Sequence, residues 1–99
     1  MFDWDEAKNE ALKRERGISF EEVVFWIEND GLLRVEDHPN AHKYPGQKIY
    51  IVNIEGYIYL VPFVEQDGMV FLKTVIPSRK ATKKYLKGAS DGPSETSSR

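Results

Sequence analysis

The chain has 99 residues, 40% of them hydrophobic, and a formal net charge of −2, which suits one small globular domain with a limited core. It has no cysteine, so disulfides and thiolate metal sites are excluded and a reducing compartment is expected. No apolar run approaches the ~20 residues that cross a bilayer, and the acidic start Met1-Phe2-Asp3-Trp4-Asp5 is unlike a signal peptide. We therefore expect a cytoplasmic protein that does not associate with membranes.

Two short amphipathic helices are predicted first. Asp3 followed by Glu6 has capping-box spacing, and apolar residues then recur at helical intervals until a glycine ends the helix. Ser19 with Glu22 repeats this spacing, and an apolar stripe marks a second helix that stops before Asn29-Asp30-Gly31.

The next segments have the composition of β-strands. Four strands rich in β-branched and aromatic residues are predicted at Leu32 to Glu36, Lys48 to Ile54, Tyr57 to Glu65 and Met69 to Ile76. A polar loop from Asp37 to Gly46 follows the first strand, and turns as short as Glu55-Gly56 force antiparallel neighbours. Pro62 cannot donate a ladder hydrogen bond, so an edge position or a bulge is expected there.

A third helix is predicted after the strands. Ser78 is expected to cap it, and it is expected to end near Lys87. Residues 88–99 contain no large apolar side chain, so we expect a disordered tail beyond a single domain of residues 1–87. Two N-terminal helices, a four-stranded mainly antiparallel sheet and a C-terminal helix make an α+β fold.

Charge is segregated along the chain. Residues 1–41 carry eleven acidic and five basic side chains, whereas residues 42–87 carry eight basic and three acidic ones. The basic residues are densest where the last strand passes through Pro77-Ser78 into the third helix. A helix start surrounded by cations attracts phosphate, which predicts a polyanion as ligand. A solvated basic helix is the simpler alternative.

Several short motifs stand in order along the sequence. They are Phe2, Trp4-Asp5, Lys8, Gly17-Ile18-Ser19-Phe20-Glu21-Glu22 and Arg79-Lys80-Ala81-Thr82. Together they resemble the BrnT-type toxins of bacterial type II toxin-antitoxin systems, over roughly residues 2 to 86. The chain departs from the family pattern at Leu12, at Glu15-Arg16 and at Pro77-Ser78.

The resemblance implies a RelE-like fold, RNA cleavage, and neutralisation by a co-transcribed antitoxin with a ribbon-helix-helix DNA-binding part. We therefore expect a toxin that acts on messenger RNA as a metal-independent endoribonuclease and inhibits translation, without a cofactor. The residues alone leave two other functions open. One is a non-catalytic RNA-binding or ribosome-associated module, and the other is a protein-interaction partner whose cationic face receives an acidic antitoxin segment.

Cleavage of RNA by its own 2′-hydroxyl needs a proton acceptor, a proton donor and cations around the phosphate. The candidate catalytic residues are Arg79, Lys48, His42 and Tyr50. Arg79 is always protonated and suits bidentate phosphate binding, and the resemblance also points to it. Imidazole titrates near neutrality, so His42 is the first candidate for moving protons.

Cations interleaved with aromatic side chains suit binding to unpaired RNA. The candidate RNA-binding residues are Lys8, Lys43, Tyr44, Lys73, Lys80, Lys83 and Tyr85. Simple packing in the sheet is an alternative role for Tyr50. His38 and His42 are spaced four apart with Asp37 beside them, but no convincing third ligand accompanies them, so no metal site is predicted.

Overall fold

In the computed structural model, which describes residues 1–87, Asp5 begins the first helix in place of Asp3. The Asp5 carboxylate accepts a hydrogen bond from the backbone N–H of Lys8 at 3.0 Å. Helix α1 then runs over Glu6–Arg16 and ends at Gly17, whose φ of 66° suits a residue without Cβ. The residues before it, Phe2–Trp4, form strand β1, which the capping pattern did not predict.

Helix α2 spans Phe20–Glu28 with Ser19 as its N-cap, as predicted. A buried amide, Asn9, fixes α2 against α1. It donates to Glu21 Oε1 at 2.8 Å and accepts from the Phe20 backbone N–H at 2.8 Å. The first of these bonds lowers the pKa of Glu21 below its usual value, because it favours the ionised carboxylate.

The remaining elements form a mixed, mostly antiparallel sheet and a short C-terminal helix. They are β2 (Leu32–Asp37), β3 (Lys48–Ile54), β4 (Tyr57–Gln66), β5 (Met69–Leu72), β6 (Ile76–Pro77), α3 (Arg79–Thr82) and a π-helical segment (Lys83–Lys87). The strand order is β1-β5-β4-β3-β2, with β6 also paired to β4. Only β1 with β5 is parallel among the described strand pairs. The fold is α+β, as the sequence predicts.

Within the described residues the sheet has six strands, so the predicted count of four is wrong. The predicted strand Met69 to Ile76 breaks after Leu72, because Val75 turns into the core and β6 resumes beside Tyr59 and Leu60. Pro62 lies in an inner strand, at the point where the neighbour of β4 changes from β6 to β5. Its carbonyl accepts from the Lys73 N–H at 2.8 Å. The predicted edge position is wrong, because β4 lies between β3 and β5. The alternative, a bulge, fits the ladder, since residues 61–62 of β4 face the three residues 73–75.

The third helix is shorter than predicted. Regular α-helix covers Arg79–Thr82, and the chain then widens into the π-helical segment. The Thr82 hydroxyl donates back to the Ser78 carbonyl at 2.8 Å, a contact that competes with the regular ladder. The predicted disordered tail lies outside the described residues.

The sheet has two different faces, and strand alternation assigns the residues to them. The inner face packs on α1 and α2 and includes Tyr50, Val52, Ile54, Tyr59, Val61, Phe63, Val70 and Leu72. The outer face includes Arg34, Glu36, Ile49, Ile51, Leu60, Val64, Met69 and Phe71. The main core therefore lies on the side of α1 and α2, and α3 packs on the outer face.

Candidate active site

One end of the outer face is covered by α3 and the π-helical segment. Between them and strands β2, β3 and β4 lies a cleft of about 190 Å³. We call it the α3 cleft. It is lined by Glu36, Ile51, Leu60, Ser78, Lys80, Ala81, Lys84 and Tyr85. The cleft combines an apolar floor with charged and phenolic groups.

Three polar contacts hold α3 in place over the sheet. Ser78 caps the helix by accepting from the Ala81 N–H at 3.0 Å, and its own N–H donates to the Ile58 carbonyl at 2.9 Å. The N–H of Ile58 in turn donates to the buried Thr82 hydroxyl at 2.8 Å. These bonds fix the position of the cleft side chains that α3 carries.

Glu36 is the acidic residue of the cleft. It lies opposite Ile49 in the β2–β3 register, which places its side chain on the outer face. Glu36 Oε2 accepts from Arg34 Nε at 3.0 Å, and the Tyr85 hydroxyl lies 3.4 Å from the same oxygen. Because Lys80 and Lys84 line the same cleft, a carboxylate, a phenol and two ammonium groups share one space. Carboxylates and phenols are side chains that can transfer protons, and ammonium groups are side chains that can bind phosphate.

Several predicted residues belong to this part of the molecule. Lys80 and Tyr85 line the cleft directly, and Arg79 and Lys83 are exposed on the same short segment. Lys73 lies further along the outer face, with Nζ 5.6 Å from the Phe71 ring centroid. Because α3 has only four residues, its dipole is small, and the side chains supply most of the positive field.

Three other predicted residues lie elsewhere. The Tyr50 ring is on the inner face, stacked on Phe63 at a centroid distance of 3.9 Å. Burial, and then Glu65, raise the pKa of Tyr50, which keeps its phenol protonated. Lys48 lies two residues before Tyr50 in β3, so its side chain is on the same inner face. Lys8 is exposed on α1. The structure therefore does not bring these three together with Lys80 and Tyr85.

The loop between β2 and β3 carries the remaining candidates. His42 and Lys43 are exposed, and Lys43 Nζ lies 5.4 Å from the Tyr44 ring centroid. Tyr44 also packs on His38, with ring centroids 4.5 Å apart. The loop starts right after Asp37, so it leaves the sheet at the end where Glu36 lies. His42 is not among the residues that line the α3 cleft.

Among residues 1–87, no three His, Asp or Glu side chains come together in a way that could hold a metal ion. The same part of the chain has no helix long and apolar enough to span a membrane.

Sequence reasoning missed two residues of the candidate site, Arg34 and Glu36. A signal for them was present, because they are alternate charged residues in a predicted strand and must share a face. Their partner Tyr85 is 49 residues away from Glu36 in the sequence. No local spacing could therefore have shown that the carboxylate and the phenol meet.

A comparison with known protein families identifies the family of the chain. A family model described as "Ribonuclease toxin, BrnT, of type II toxin-antitoxin system" matches residues 4–84. Searches of curated proteins and of solved structures found no match. The matched range contains all the lining residues of the α3 cleft except Tyr85, which follows directly. The chain belongs to the BrnT family, and it is a ribonuclease toxin of a type II toxin-antitoxin system, with a cognate antitoxin as its partner.

Proposed function

We propose that the α3 cleft is the active site and that it cleaves messenger RNA without a metal ion, which inhibits translation. The observation that carries this proposal is the contact of Glu36 with both Arg34 and Tyr85 in a cleft that also presents Lys80 and Lys84. The two hydrogen-bond donors fix the orientation of the Glu36 carboxylate, as a general base requires. The two ammonium groups attract the negative charge of a phosphodiester.

The reaction uses the RNA's own 2′-hydroxyl as nucleophile. Glu36 accepts the proton of that hydroxyl while the 2′-oxygen bonds to phosphorus, and Lys80 and Lys84 stabilise the charge on the non-bridging oxygens. The bond from phosphorus to the 5′-oxygen then breaks, and Tyr85 donates a proton to the leaving oxygen. The products are a 2′,3′-cyclic phosphate and a free 5′-hydroxyl.

The other cations bind the flanking RNA. The guanidinium group of Arg79 binds a phosphate through two hydrogen bonds, and Lys83 adds positive charge beside it. From the loop between β2 and β3, His42, Lys43 and Tyr44 contact the RNA strand. Lys8, Lys48 and Tyr50 have no part in this proposal because they lie on the helix side of the sheet.

We also infer that the cognate antitoxin neutralises the toxin by covering the α3 cleft, and that it carries a ribbon-helix-helix DNA-binding part. The exposed cations of the α3 segment suit an acidic antitoxin segment. The site of action is the cytoplasm, where messenger RNA is translated. A small ribbon-helix-helix protein in the adjacent reading frame is the simplest check.

Cleavage by purified variants tests the active site. We expect Glu36→Gln and Tyr85→Phe each to lower the cleavage rate by about 100- to 10,000-fold, the usual contribution of an acid or base. Chelation of divalent ions should leave the wild-type rate unchanged, and RNA with 2′-deoxyribose at the cleaved position should resist cleavage. The readouts are the single-turnover rate and the chemistry of the new RNA ends.

Matched controls lie at the β3–β4 turn, among residues that do not line the α3 cleft. Glu55→Gln and Tyr57→Phe make the same chemical changes there, and both should cleave at the wild-type rate. Full activity of Glu36→Gln and Tyr85→Phe, or loss of activity on chelation, would refute the proposal.

A further inference from the structure

A second pocket opens on the outer face, at the β4–β5 hairpin. We call it the hairpin pocket, and its volume is about 560 Å³. It is lined by Val64, Gln66, Asp67, Met69 and Phe71. Neither the family match nor the proposed chemistry assigns it a role. It is the larger of the two outer-face pockets described above.

The strand register builds this pocket. Val64 faces Phe71 and Gln66 faces Met69 across the β4–β5 ladder, so their side chains emerge on the outer face. The strands are joined by Asp67-Gly68, whose φ values of 54° and 79° fit a tight type I′ turn. The result is an apolar floor with an amide and a carboxylate at its rim.

A cation stands beside the aromatic ring of the pocket. Lys73 continues the alternation of β5, and its Nζ lies 5.6 Å from the Phe71 ring centroid. On the parallel neighbour β1, Asp3 lies opposite Phe71, and its carboxylate accepts from the Trp4 N–H at 2.8 Å. A partly exposed ring next to an ammonium group is the arrangement that binds an unpaired base together with its phosphate.

The hairpin pocket and the α3 cleft lie on the same face of the sheet. Leu60 of the cleft and Val64 of the pocket are four residues apart on β4, a distance of about 13 Å along the strand. A single RNA strand whose phosphate sits in the cleft therefore reaches the pocket within a few nucleotides. A separate protein ligand would also find charge and apolar surface here, but it would gain nothing from the short distance to the proposed cleavage site.

We infer that the hairpin pocket binds one unpaired nucleobase of the RNA substrate, which stacks on Phe71 while Lys73 contacts the adjoining phosphate. This inference rests on the proposed function of the α3 cleft. The rim groups Gln66 and Asp67 offer acceptors to a base edge that carries an amino group.

Binding of a non-cleavable RNA tests the inference. The probe is a short single-stranded oligonucleotide of mixed sequence with 2′-O-methyl groups throughout, and affinity is read by fluorescence anisotropy with the full chain. We expect Phe71→Ala to weaken binding by about 5- to 150-fold, the range for loss of one stacked base. Phe71→Trp should restore binding, because it supplies a larger ring. Phe25→Ala is the matched control, since Phe25 is 54% exposed but lies on α2.

Abasic substitution, one position at a time, makes the test specific to a base. One position should lose affinity with the wild-type protein and lose none with Phe71→Ala. Equal losses in both proteins, or identical affinity of Phe71→Ala and Phe25→Ala, would overturn the inference even if the α3 cleft cleaves RNA as proposed. Failure of wild-type binding to any RNA probe would overturn it together with the proposed function.

Discussion

Gly31 lies where the chain leaves α2 and enters β2, and it is buried there. Its N–H donates to the Trp26 carbonyl at 2.7 Å, and its own carbonyl accepts from the Asn53 N–H at 2.7 Å. A Cβ at this position would lie 2.6 Å from the Trp26 oxygen and 2.8 Å from the Asn53 oxygen. Both atoms belong to the backbone, so neither can move without disturbing α2 or β3.

We therefore expect Gly31→Ala to lower the free energy of unfolding by about 3 kcal/mol, the upper end of typical over-packing costs. Urea denaturation followed by circular dichroism measures it. Gly17→Ala is the control, because nothing lies within 4 Å of its added Cβ and only the positive φ is strained, at about 1 kcal/mol. A smaller loss of stability for Gly31→Ala than for Gly17→Ala would contradict the interpretation that a Cβ at position 31 clashes with the backbone.

Contacts of single residues also explain which helix caps could be predicted from the sequence. Ser19 and Ser78 each accept from a backbone N–H three residues later, so a spacing in the sequence was enough to find them. Asn9 is different, because its partners Phe20 and Glu21 lie across the junction of two helices. A buried asparagine in a helix gives no local sign of such a partner.

At the scale of elements, Thr82 links α3 to the sheet. Its hydroxyl accepts from the buried N–H of Ile58, which adds a ladder-like bond to β4 from a helix. Thr82→Val keeps the shape and removes the acceptor, leaving that N–H without its partner. We expect a loss of about 1–3 kcal/mol in the free energy of unfolding, and lower RNA cleavage because α3 carries Lys80.

Thr82→Ser is the matched control for this prediction. It keeps the hydroxyl, so it should retain the bond to Ile58 and most of the activity. Equal stability and equal cleavage in wild type and Thr82→Val, measured by denaturation and by single-turnover assay, would show that α3 does not depend on this contact.

The strands also show which parts of the sheet could be predicted from the sequence. Strands β3 and β4 were predicted because their alternation is long and a turn joins them; Glu55-Gly56 has positive φ at both residues, as a type I′ hairpin requires. Strand β1 was not, because Asp3 and Glu6 match a cap and the strand has only three residues. Its partner is β5, far along the chain, and such a parallel pairing leaves no local pattern.

For the candidate site, the sequence predicted the cationic segment but not the carboxylate of Glu36 that lies beside it. Lys80 and Tyr85 belong to a dense local run, which made them visible. Tyr50 was chosen for its residue type alone, and the register places its ring in an aromatic stack with Phe63. Which face a strand residue occupies depends on the whole sheet, so it could not be settled from a single strand.

At the scale of the molecule, the basic half of the sequence supplies the outer surface around α3. The exposed cations there include Lys73, Arg79, Lys80, Lys83 and Lys84. We expect affinity for non-cleavable single-stranded RNA to fall with log salt at a slope of about −0.7 for each phosphate neutralised, giving a total of about −2 to −4.

The double variant Lys80→Ala with Lys84→Ala should reduce the magnitude of that slope by about 1.4, because two phosphate contacts are lost. Lys13→Ala is the control: Lys13 pairs with Glu10 at 3.1 Å on α1, a contact that raises the Lys13 pKa and keeps its charge engaged there. Titrations at four or more salt concentrations provide the slopes. A slope that the double variant leaves unchanged would place the RNA on another face.

Strand β1 also bears on how the protein is made. The β3–β4 hairpin can form as soon as both strands have left the ribosome, since only a turn separates them. Residues 2–4, in contrast, must wait for residues 70–72 before they have a partner, and the Met1 carbonyl must wait for the Val70 N–H that donates to it. The edge of the sheet beside Phe71 is therefore completed late in synthesis, when most of the described chain has already emerged.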